Sequence, residues 1–382
     1  NNTLFTNYLG NYYSDYIGKD ANNDGIGDTP YGDTSHFYPS DNYPLIKPIE
    51  NYFILNPISI SSNKDFTPEN GVIAGNGSKS NPYIISAKYI RSNDTAITIQ
   101  NTNAYFVIQD TYIEGQSGIV LRNVTNGEIR NCIINAKETG ILMDEVKNTN
   151  IVSNRIKEGI HLRFSTNNKI ENNEIKRGIL ITKSYNNKIV NNTANGKPIV
   201  YLENEANRVV ENASQIIAIN STNITVRSKF VNVTVAIQFL NVSNSRIDGC
   251  EISNSEYGIE MRDSNNNRIQ NCRIRDVVNY GIWMINSNGN EISNSSIENC
   301  YTGLRMVLSN KNLIFNNLIS NNSRGIYLRK SNDNTIYGNC FENLINAFVR
   351  SSTNKWNTDY GNYWSDYIGK DMNNDGIGDE PY

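Results

Sequence analysis

Two nearly identical acidic, glycine-rich phrases carry the residues best suited to bind a metal ion. They read DYIGKDANNDGIGDTPY, ending at Tyr31, and DYIGKDMNNDGIGDEPY, ending at Tyr382. Each places oxygen-bearing groups on alternate residues around a glycine, the arrangement with which an EF-hand-type loop surrounds Ca²⁺. The sequence therefore predicts calcium as a cofactor at two loops, bound through side chains and, at the two isoleucines, through carbonyls: Asp20, Asn22, Asp24, Ile26 and Asp28, and Asp371, Asn373, Asp375, Ile377 and Asp379.

Neither loop is a complete EF-hand, because Tyr31 and Tyr382 stand where the bidentate glutamate would be. Asp15 and Asp366, in the preceding SDY of each phrase, are additional candidate ligands that would complete the coordination. The alternative is a pair of Asn/Asp/Gly turns without metal. The expected affinity is that of extracellular modules, on the order of 10⁻⁴ to 10⁻³ M.

An internal repeat explains the chain between the phrases. From 97 to 352 it divides into about twelve units, most of them 19 to 23 residues long, such as IHLRFSTNNKIENNEIKRG (160–178). Each unit has three short tracts of alternating apolar residues, separated by turns of Asn, Gly, Ser and Asp. Three strands in about 22 residues leave no room for helices, which predicts stacked coils rising by about 4.8 Å each. The predicted fold is an all-β, right-handed parallel β-helix of about 12 coils.

The repeat also assigns side chains to the inside or the outside of the coils. Ile119, Ile141 and Ile160 are predicted to stack as one continuous inner column, because side chains alternate across a strand. Asparagine recurs at the turns, where it tolerates the left-handed backbone region and can hydrogen-bond along the stack. Arg122, Asp144 and Arg163 are predicted to form an ion-pair ladder on adjacent coils.

Four segments follow from this pattern. Residues 1–32 form a calcium-loop joint that ends a preceding repeat unit, and 33–63 is a Pro/Tyr-rich linker or strap. Residues 64–352 form the β-helix with its N-terminal cap, and 353–382 form the second calcium-loop joint. Because the two phrases lie 351 residues apart, we expect one complete unit of a tandem array, or one protomer whose joint repeats.

The coils, the entry phrase GNGSKSNPYIIS (75–86) and the closing phrase GNYWSDYIGKDMNNDGIGDEPY resemble archaeal surface proteins of the parallel β-helix repeat superfamily. This superfamily is also described as carbohydrate-binding and sugar-hydrolase domains, and it includes the NosD-like periplasmic proteins. The resemblance covers nearly the whole chain and implies an exported, cell-surface location. It does not by itself imply an activity.

Two outward surfaces are candidate binding regions. An exposed aromatic and charged patch is a candidate glycan contact, because aromatic rings offer apolar faces with polar edges. It comprises Glu260, Arg262, Trp283, Arg305, Tyr327 and Arg329. An apolar stripe is a candidate assembly surface that either the strap or a second copy would cover. It comprises Val120, Leu142, Leu180, Val200 and Ile217.

Composition argues against several other functions. The net charge of −3 gives no basic footprint for nucleic acid, and no apolar run is long enough to span a membrane. Copper would need imidazole or soft sulfur ligands, and His36, His161 and the five Met residues form no evident cluster in the sequence. Cys250 and Cys272 occupy equivalent positions of neighbouring coils, either as a disulfide or as stacked core residues.

Two functions remain. The main prediction is an extracellular structural protein of a surface layer, sheath or filament, which self-associates and whose rigid rods are joined by calcium-ordered loops. The alternative is a carbohydrate-binding or carbohydrate-cleaving surface protein, whose partners are glycans. Catalysis would require two carboxylates flanking a groove, and the sequence offers no convincing pair.

Overall fold

The computed structural model describes residues 11–21, 27–32, 41–42, 44, 46, 54–55, 57–87, 89–373 and 375–382. The fold is a right-handed parallel β-solenoid of about 13 turns with almost no helix, which confirms the predicted fold class. Two short 3₁₀ helices, Asn63–Asp65 and Pro68–Asn70, precede the regular coils. The four segment boundaries predicted from sequence stay predictions.

The coils form two stacks, each with three faces. In the first stack, the long strands Tyr112–Val124 and Ile133–Asp144 bend through faces 3 and 1. Face 1 also contains Ile58–Ile60, Thr95–Thr102, Ile160–Arg163 and Ile179–Thr182. Face 2 contains Val72–Ala74, Tyr83–Ile85, Phe106–Gln109, Gly127–Arg130, Asn150–Val152, Lys169–Glu171 and Lys188–Val190. Face 3 also contains Ile54–Leu55, Tyr89–Arg91, Arg155–Ile156, Glu174–Ile175 and Thr193–Ala194.

The second stack repeats this arrangement. Face 1 contains Lys197–Glu203, Gln215–Ile219, Val235–Leu240, Tyr257–Arg262, Tyr280–Ile285, Thr302–Val307, Arg324–Arg329 and Ala347–Arg350. Face 2 contains Ala206–Glu211, Thr222–Arg227, Arg246–Asp248, Arg268–Gln270, Glu291–Ser293, Leu313–Phe315 and Thr335–Tyr337. Face 3 contains Lys229–Val231, Glu251–Ser253, Arg273–Arg275, Ser296–Glu298, Leu318–Ser320, Cys340–Glu342 and Tyr363–Trp364.

The inner column predicted from the repeat is present. Ile141 pairs in register with Ile119 on one side and with Ile160 on the other, and all three side chains are completely buried. Equivalent residues continue this column in the second stack, where Ile259 pairs with Ile282 and Ile282 pairs with Leu304. Burial of these aliphatic side chains is the main stabilising contribution to the solenoid.

Adjacent asparagines divide two tasks between them. In pairs such as Asn167–Asn168 and Asn172–Asn173, the first residue takes a positive φ at the turn. The second is buried, and its amide hydrogen-bonds to the next coil: Asn173 Nδ2 donates to Asn192 Oδ1 at 2.9 Å. The left-handed turns were predicted. Beside them, the buried asparagine amides form a separate ladder, which supplies hydrogen-bond partners to the buried backbone groups at each turn.

The two stacks are linked where Thr193–Ala194 pairs antiparallel with Lys197–Glu203, and they also meet side by side at a lateral junction. The strand Ile179–Thr182 pairs with Ile160–Arg163, but its other edge contacts the side chains of Gln215 and Gln238. Gln215 bonds the N–H and C=O of Ile179, and Gln238 bonds those of Ile181. These glutamines project from face 1 of the second stack and replace the backbone partners that a further strand would supply.

Candidate functional site

The outer side of face 1 in the second stack brings the predicted glycan-contact residues together. Strand register places Glu260, Trp283, Arg305 and Tyr327 in one outward row, which Phe348 continues. Arg262 and Arg329 lie two positions further along their strands, in a second row that ends at Arg350. We call this surface the arginine-aromatic face.

Guanidinium groups and rings alternate along this face. The Cζ atom of Arg262 lies 4.6 Å from the ring centroid of Trp283. That of Arg305 lies 4.9 Å from the ring centroid of Tyr280 and 4.7 Å from that of Tyr327. Coil stacking therefore directs the ring faces at neighbouring side chains, with Tyr257 also stacked on Trp283. Arg262 and Tyr257, both on the preceding coil, therefore cover part of the Trp283 ring, which restricts the stacking role expected for it.

Four arginines on this face have no acidic partner. Arg305, Arg324, Arg329 and Arg350 form no ion pair within 4.0 Å in the described part of the chain, whereas Arg262 is paired with Glu260. We call these four residues the arginine cluster. Arg324 is held between the rings of Tyr301, at 5.3 Å, and Phe348, at 5.6 Å. The surface is consequently cationic on a chain whose net charge is −3.

Glu260 is not available for direct ligand contact, which corrects its predicted role. Its side chain points outward but is only 2% exposed, because neighbouring coils cover it. One oxygen accepts a hydrogen bond from Arg262 Nε, and the other accepts from Gln238 Nε2 at 2.6 Å. Glu260 therefore positions Arg262 and links the face to the stack junction.

A shallow groove of about 530 Å³ borders the face. Its lining includes the polar residues Asp276, Asn299, Asn321 and Ser323. Tyr301 also lines the groove, and its ring contacts Arg324 of the arginine cluster. Asp276 accepts hydrogen bonds from Asn299 and Arg275. The groove was not predicted, and neither were Tyr280, Tyr301, Arg324 and Arg350. Extending each repeat unit by two or three residues at either end would have placed those four side chains on this face.

The second acidic phrase forms a compact loop through its own backbone. Asp371 accepts from the N–H groups of Asp375 and Gly376, Asp375 accepts from that of Ile377, and Asp379 accepts from that of Met372. Among the described residues, no group of three or more His, Cys, Asp or Glu is arranged to hold a metal ion. Asn22, Asp24 and Ile26 of the first phrase lie outside the described residues. Calcium at either loop stays a prediction.

The two additional candidate ligands contact the tyrosines that replace the EF-hand glutamate. Asp15 accepts from the hydroxyl of Tyr31, and Asp366 accepts from that of Tyr382, both at 3.1 Å. Burial and the hydrogen bond to Asp366 raise the pKa of Tyr382. Asp366 also accepts from Asn346 Nδ2 at 2.7 Å, which attaches the loop to the second stack.

The predicted assembly surface is partly buried within the chain. Ile217 is completely buried in the core cluster, at the strand whose outer side meets the first stack, and Val120 is 5% exposed. Leu142, Leu180 and Val200 are half-buried. Ile217 and Val120 are therefore unavailable to a second copy, which corrects their predicted role in assembly. Cys250 and Cys272 are free, buried thiols in this structure.

The fold and this outer face define a parallel β-helix protein with a cationic, aromatic lateral surface. The family model described as "Periplasmic copper-binding protein (NosD)" matches residues 28–208 and 195–369. The chain belongs to the NosD family. It is also 58% identical over 36 residues to "Probable ABC transporter binding protein NosD" of Stutzerimonas stutzeri, a match that covers 9% of this chain and 8% of that protein.

Solved structures with a similar fold include the periplasmic alginate epimerase AlgG, at 16% identity and a TM-score of 0.38, covering 78% of this chain and 77% of the epimerase. The Dettilon tailspike protein is 11% identical with a TM-score of 0.29, covering 76% of this chain and 55% of the tailspike. Mannuronan C-5 epimerase AlgE6 of Azotobacter vinelandii is 10% identical with a TM-score of 0.25, covering 80% of each chain. Identities this low concern the fold alone, and no activity is carried over from them.

The described residues do not fit a copper centre. His161 is half-buried and contacts Thr182, and the buried thiols lie within the coils. Met261, Met284 and Met306 do stack in register, contrary to the expectation of scattered methionines. All three are completely buried in the aliphatic core, where the thioethers fill space between apolar neighbours. No helix in the described ranges is long and apolar enough to cross a bilayer.

Proposed function

We propose that this chain is an exported β-helix protein that binds polysaccharide along the arginine-aromatic face and its bordering groove. One observation carries the proposal: the guanidinium of Arg305 is held between Tyr280 and Tyr327 on an outer face, with no acidic partner. A cation positioned by two rings and left without a counter-ion is a preformed recognition group for an anion. An exported location is consistent with a family described as periplasmic.

Binding is favoured over cleavage by the state of the acidic groups. Glycoside hydrolysis uses two carboxyl groups flanking the bond that is cleaved. Glu260 is buried and paired with Arg262, and Asp276 in the groove is bonded to Asn299 and Arg275. Neither carboxyl group is free to act as an acid or a nucleophile. The groove and face offer ring edges, amides and guanidinium groups, which recognise hydroxyl and acidic groups on a sugar.

The test is equilibrium binding of the full chain to a panel of neutral and charged polysaccharides, with Tyr301→Ala as the probe variant. Tyr301 is 46% exposed beside the groove, so its removal should weaken binding at least tenfold without unfolding the chain. Tyr185→Ala in the first stack, at a residue 39% exposed, is the matched control and should bind normally. Absence of binding to every polysaccharide in the panel would refute the proposal.

A structural role remains the second candidate, although the observations favour it less. Self-association was predicted through the apolar stripe, and two of its five residues are buried inside the chain. Leu142, Leu180 and Val200 of the stripe are half-buried and could still contact a second copy. The mass of the protein in solution tests whether they do. A stable dimer or polymer that Leu142→Ser and Leu180→Ser dissolve would support assembly through that stripe.

A further inference from the structure

We infer that the ligand of the arginine-aromatic face is an acidic polysaccharide, carrying carboxylate groups at regular intervals and lying parallel to the stacking direction of the coils. This inference rests on the proposed function and specifies its ligand class. Three observations support it: cations without counter-ions, guanidinium groups fixed in advance, and their repetition on successive coils.

The first observation is unsatisfied positive charge. Arginine is always protonated, and a guanidinium withdrawn from water is costly unless hydrogen bonds or an anion compensate it. The Nε atom of Arg305 is buried without a hydrogen-bond partner, and its Nη1 atom donates to the hydroxyl of Tyr280 at 3.2 Å. A carboxylate, which accepts two parallel N–H groups, is the natural partner of such a fork.

The second observation is that two of the four cations are held in place. Arg305 lies between Tyr280 and Tyr327, and Arg324 lies between Tyr301 and Phe348. Side chains already fixed by ring contacts lose less conformational freedom when a ligand binds. Exposed arginines that merely keep a protein soluble are not expected to be ordered in this way.

The third observation is repetition. Arg305, Arg329 and Arg350 belong to three successive strands of face 1, and Arg324 starts the same strand that Arg329 ends. Arg329 and Arg350 are register partners on neighbouring strands, which lie about 4.8 Å apart, and Arg305 lies one strand earlier in the adjacent row, so the cluster presents cations on three successive coils. A polymer with one acidic group on each sugar can contact several of these cations at once, whereas a single small anion would engage only one or two.

The first stack shows that this arrangement is not a general property of the coils. On face 1 there, Asp144 stands in register between Arg122 and Arg163 and approaches Arg163 at 3.8 Å, so the predicted ladder has one ion pair among the described residues. On the other two faces, Arg155 approaches Glu174 at 2.9 Å and Arg130 approaches Glu128 at 3.0 Å. With an acid between the two arginines of its face 1, the first stack has no comparable row of cations. The inference therefore applies to one end of the molecule only.

The experiment compares a polyuronic acid with the same polymer after its carboxyl groups have been reduced to alcohols, using calorimetry on the full chain. We expect the acidic form to bind at least tenfold more tightly, and we expect added salt to reduce this difference. The double variant Arg329→Gln, Arg350→Gln should weaken binding of the acidic form at least tenfold. Both residues are exposed, so the chain should still fold; Arg91→Gln with Arg155→Gln is the control of equal charge in the first stack.

The outcomes separate this inference from the proposed function. Equal binding of the acidic and the reduced polymer would overturn the acidic ligand class and leave polysaccharide binding in place. Failure of every polysaccharide, neutral or acidic, would overturn both. Equally tight binding of single-stranded DNA, abolished by the same double variant, would show a general polyanion surface and would also overturn the assignment to polysaccharide.

Discussion

The first and second coil stacks have the same interior and different outer sides of face 1. Inside, both stack isoleucines in register and bury hydrogen-bonded asparagines. Outside, face 1 of the first stack places Asp144 between Arg122 and Arg163, whereas face 1 of the second leaves the arginine cluster without acids among aromatic rings. The comparison shows that coil stacking constrains the inward positions alone, so that one outer face can acquire a binding surface without altering the fold.

The comparison first predicts that truncating an inward side chain lowers the free energy of unfolding by the same amount in either stack. Ile141→Ala and Ile282→Ala each truncate a completely buried side chain, and each should lower the free energy of unfolding by about 2–5 kcal/mol. The three tryptophans, Trp283, Trp356 and Trp364, all lie in the second stack or its last coil, so urea unfolding followed by fluorescence reports that part. Circular dichroism reports both stacks.

If the stacks unfold together, each mutation will shift both signals equally. A shift of circular dichroism alone for Ile141→Ala would show instead that the junction does not couple the stacks. Ile133→Ala, at a residue 46% exposed in the first stack, is the control and should change stability by much less.

The junction itself is the next largest test. Gln238→Leu keeps the side-chain size but removes the bonds to the N–H and C=O of Ile181 and to Glu260. Leaving these buried groups unpaired should cost about 1–3 kcal/mol for each group. The two unfolding signals should also separate, because the first stack loses a contact with the second.

Gln100→Leu provides the matched control, since Gln100 lies on face 1 of the first stack, where its Nε2 donates to the Ser61 hydroxyl at 3.4 Å. Its unfolding curve should match that of the unchanged chain. An unchanged curve for Gln238→Leu as well would mean that the glutamine contacts do not hold the stacks together.

Sequence reasoning predicted the inward positions because the repeat forces them to match. The registers of Ile119, Ile141 and Ile160 follow from the apolar alternation, and the turn asparagines follow from their backbone preference. The junction could not be predicted, since Gln215 and Gln238 occupy outward positions like any polar residue. The burial of Glu260 and the ring contacts of Arg324 depend on neighbours from other coils, which the pattern of one unit does not specify.

A smaller effect is expected from calcium. The second acidic loop is attached to the second stack through Asp366 and through the stacking of Tyr382 on Trp364. If 1 mM Ca²⁺ binds there with the affinity of an extracellular module, it should stabilise the second stack by about 0.4–1.4 kcal/mol. The fluorescence transition should therefore shift upward in urea, and Asp375→Ala should abolish the shift. Equal shifts with Mg²⁺, or none with Ca²⁺, would argue against a calcium loop.

The smallest expected effect belongs to the first stack and concerns pH. Burial lowers the pKa of His161, and the nearby Arg163 guanidinium lowers it further, while Asp144 partly opposes both. In the unfolded chain, His161 binds a proton with the ordinary histidine pKa of about 6.5, whereas in the folded chain it binds that proton only at lower pH. Stability should therefore be complete above that pH and should decrease as the pH falls through it towards the lowered folded pKa. His161→Gln should remove this dependence from the circular dichroism transition, whereas an unchanged pH profile would assign it to other groups.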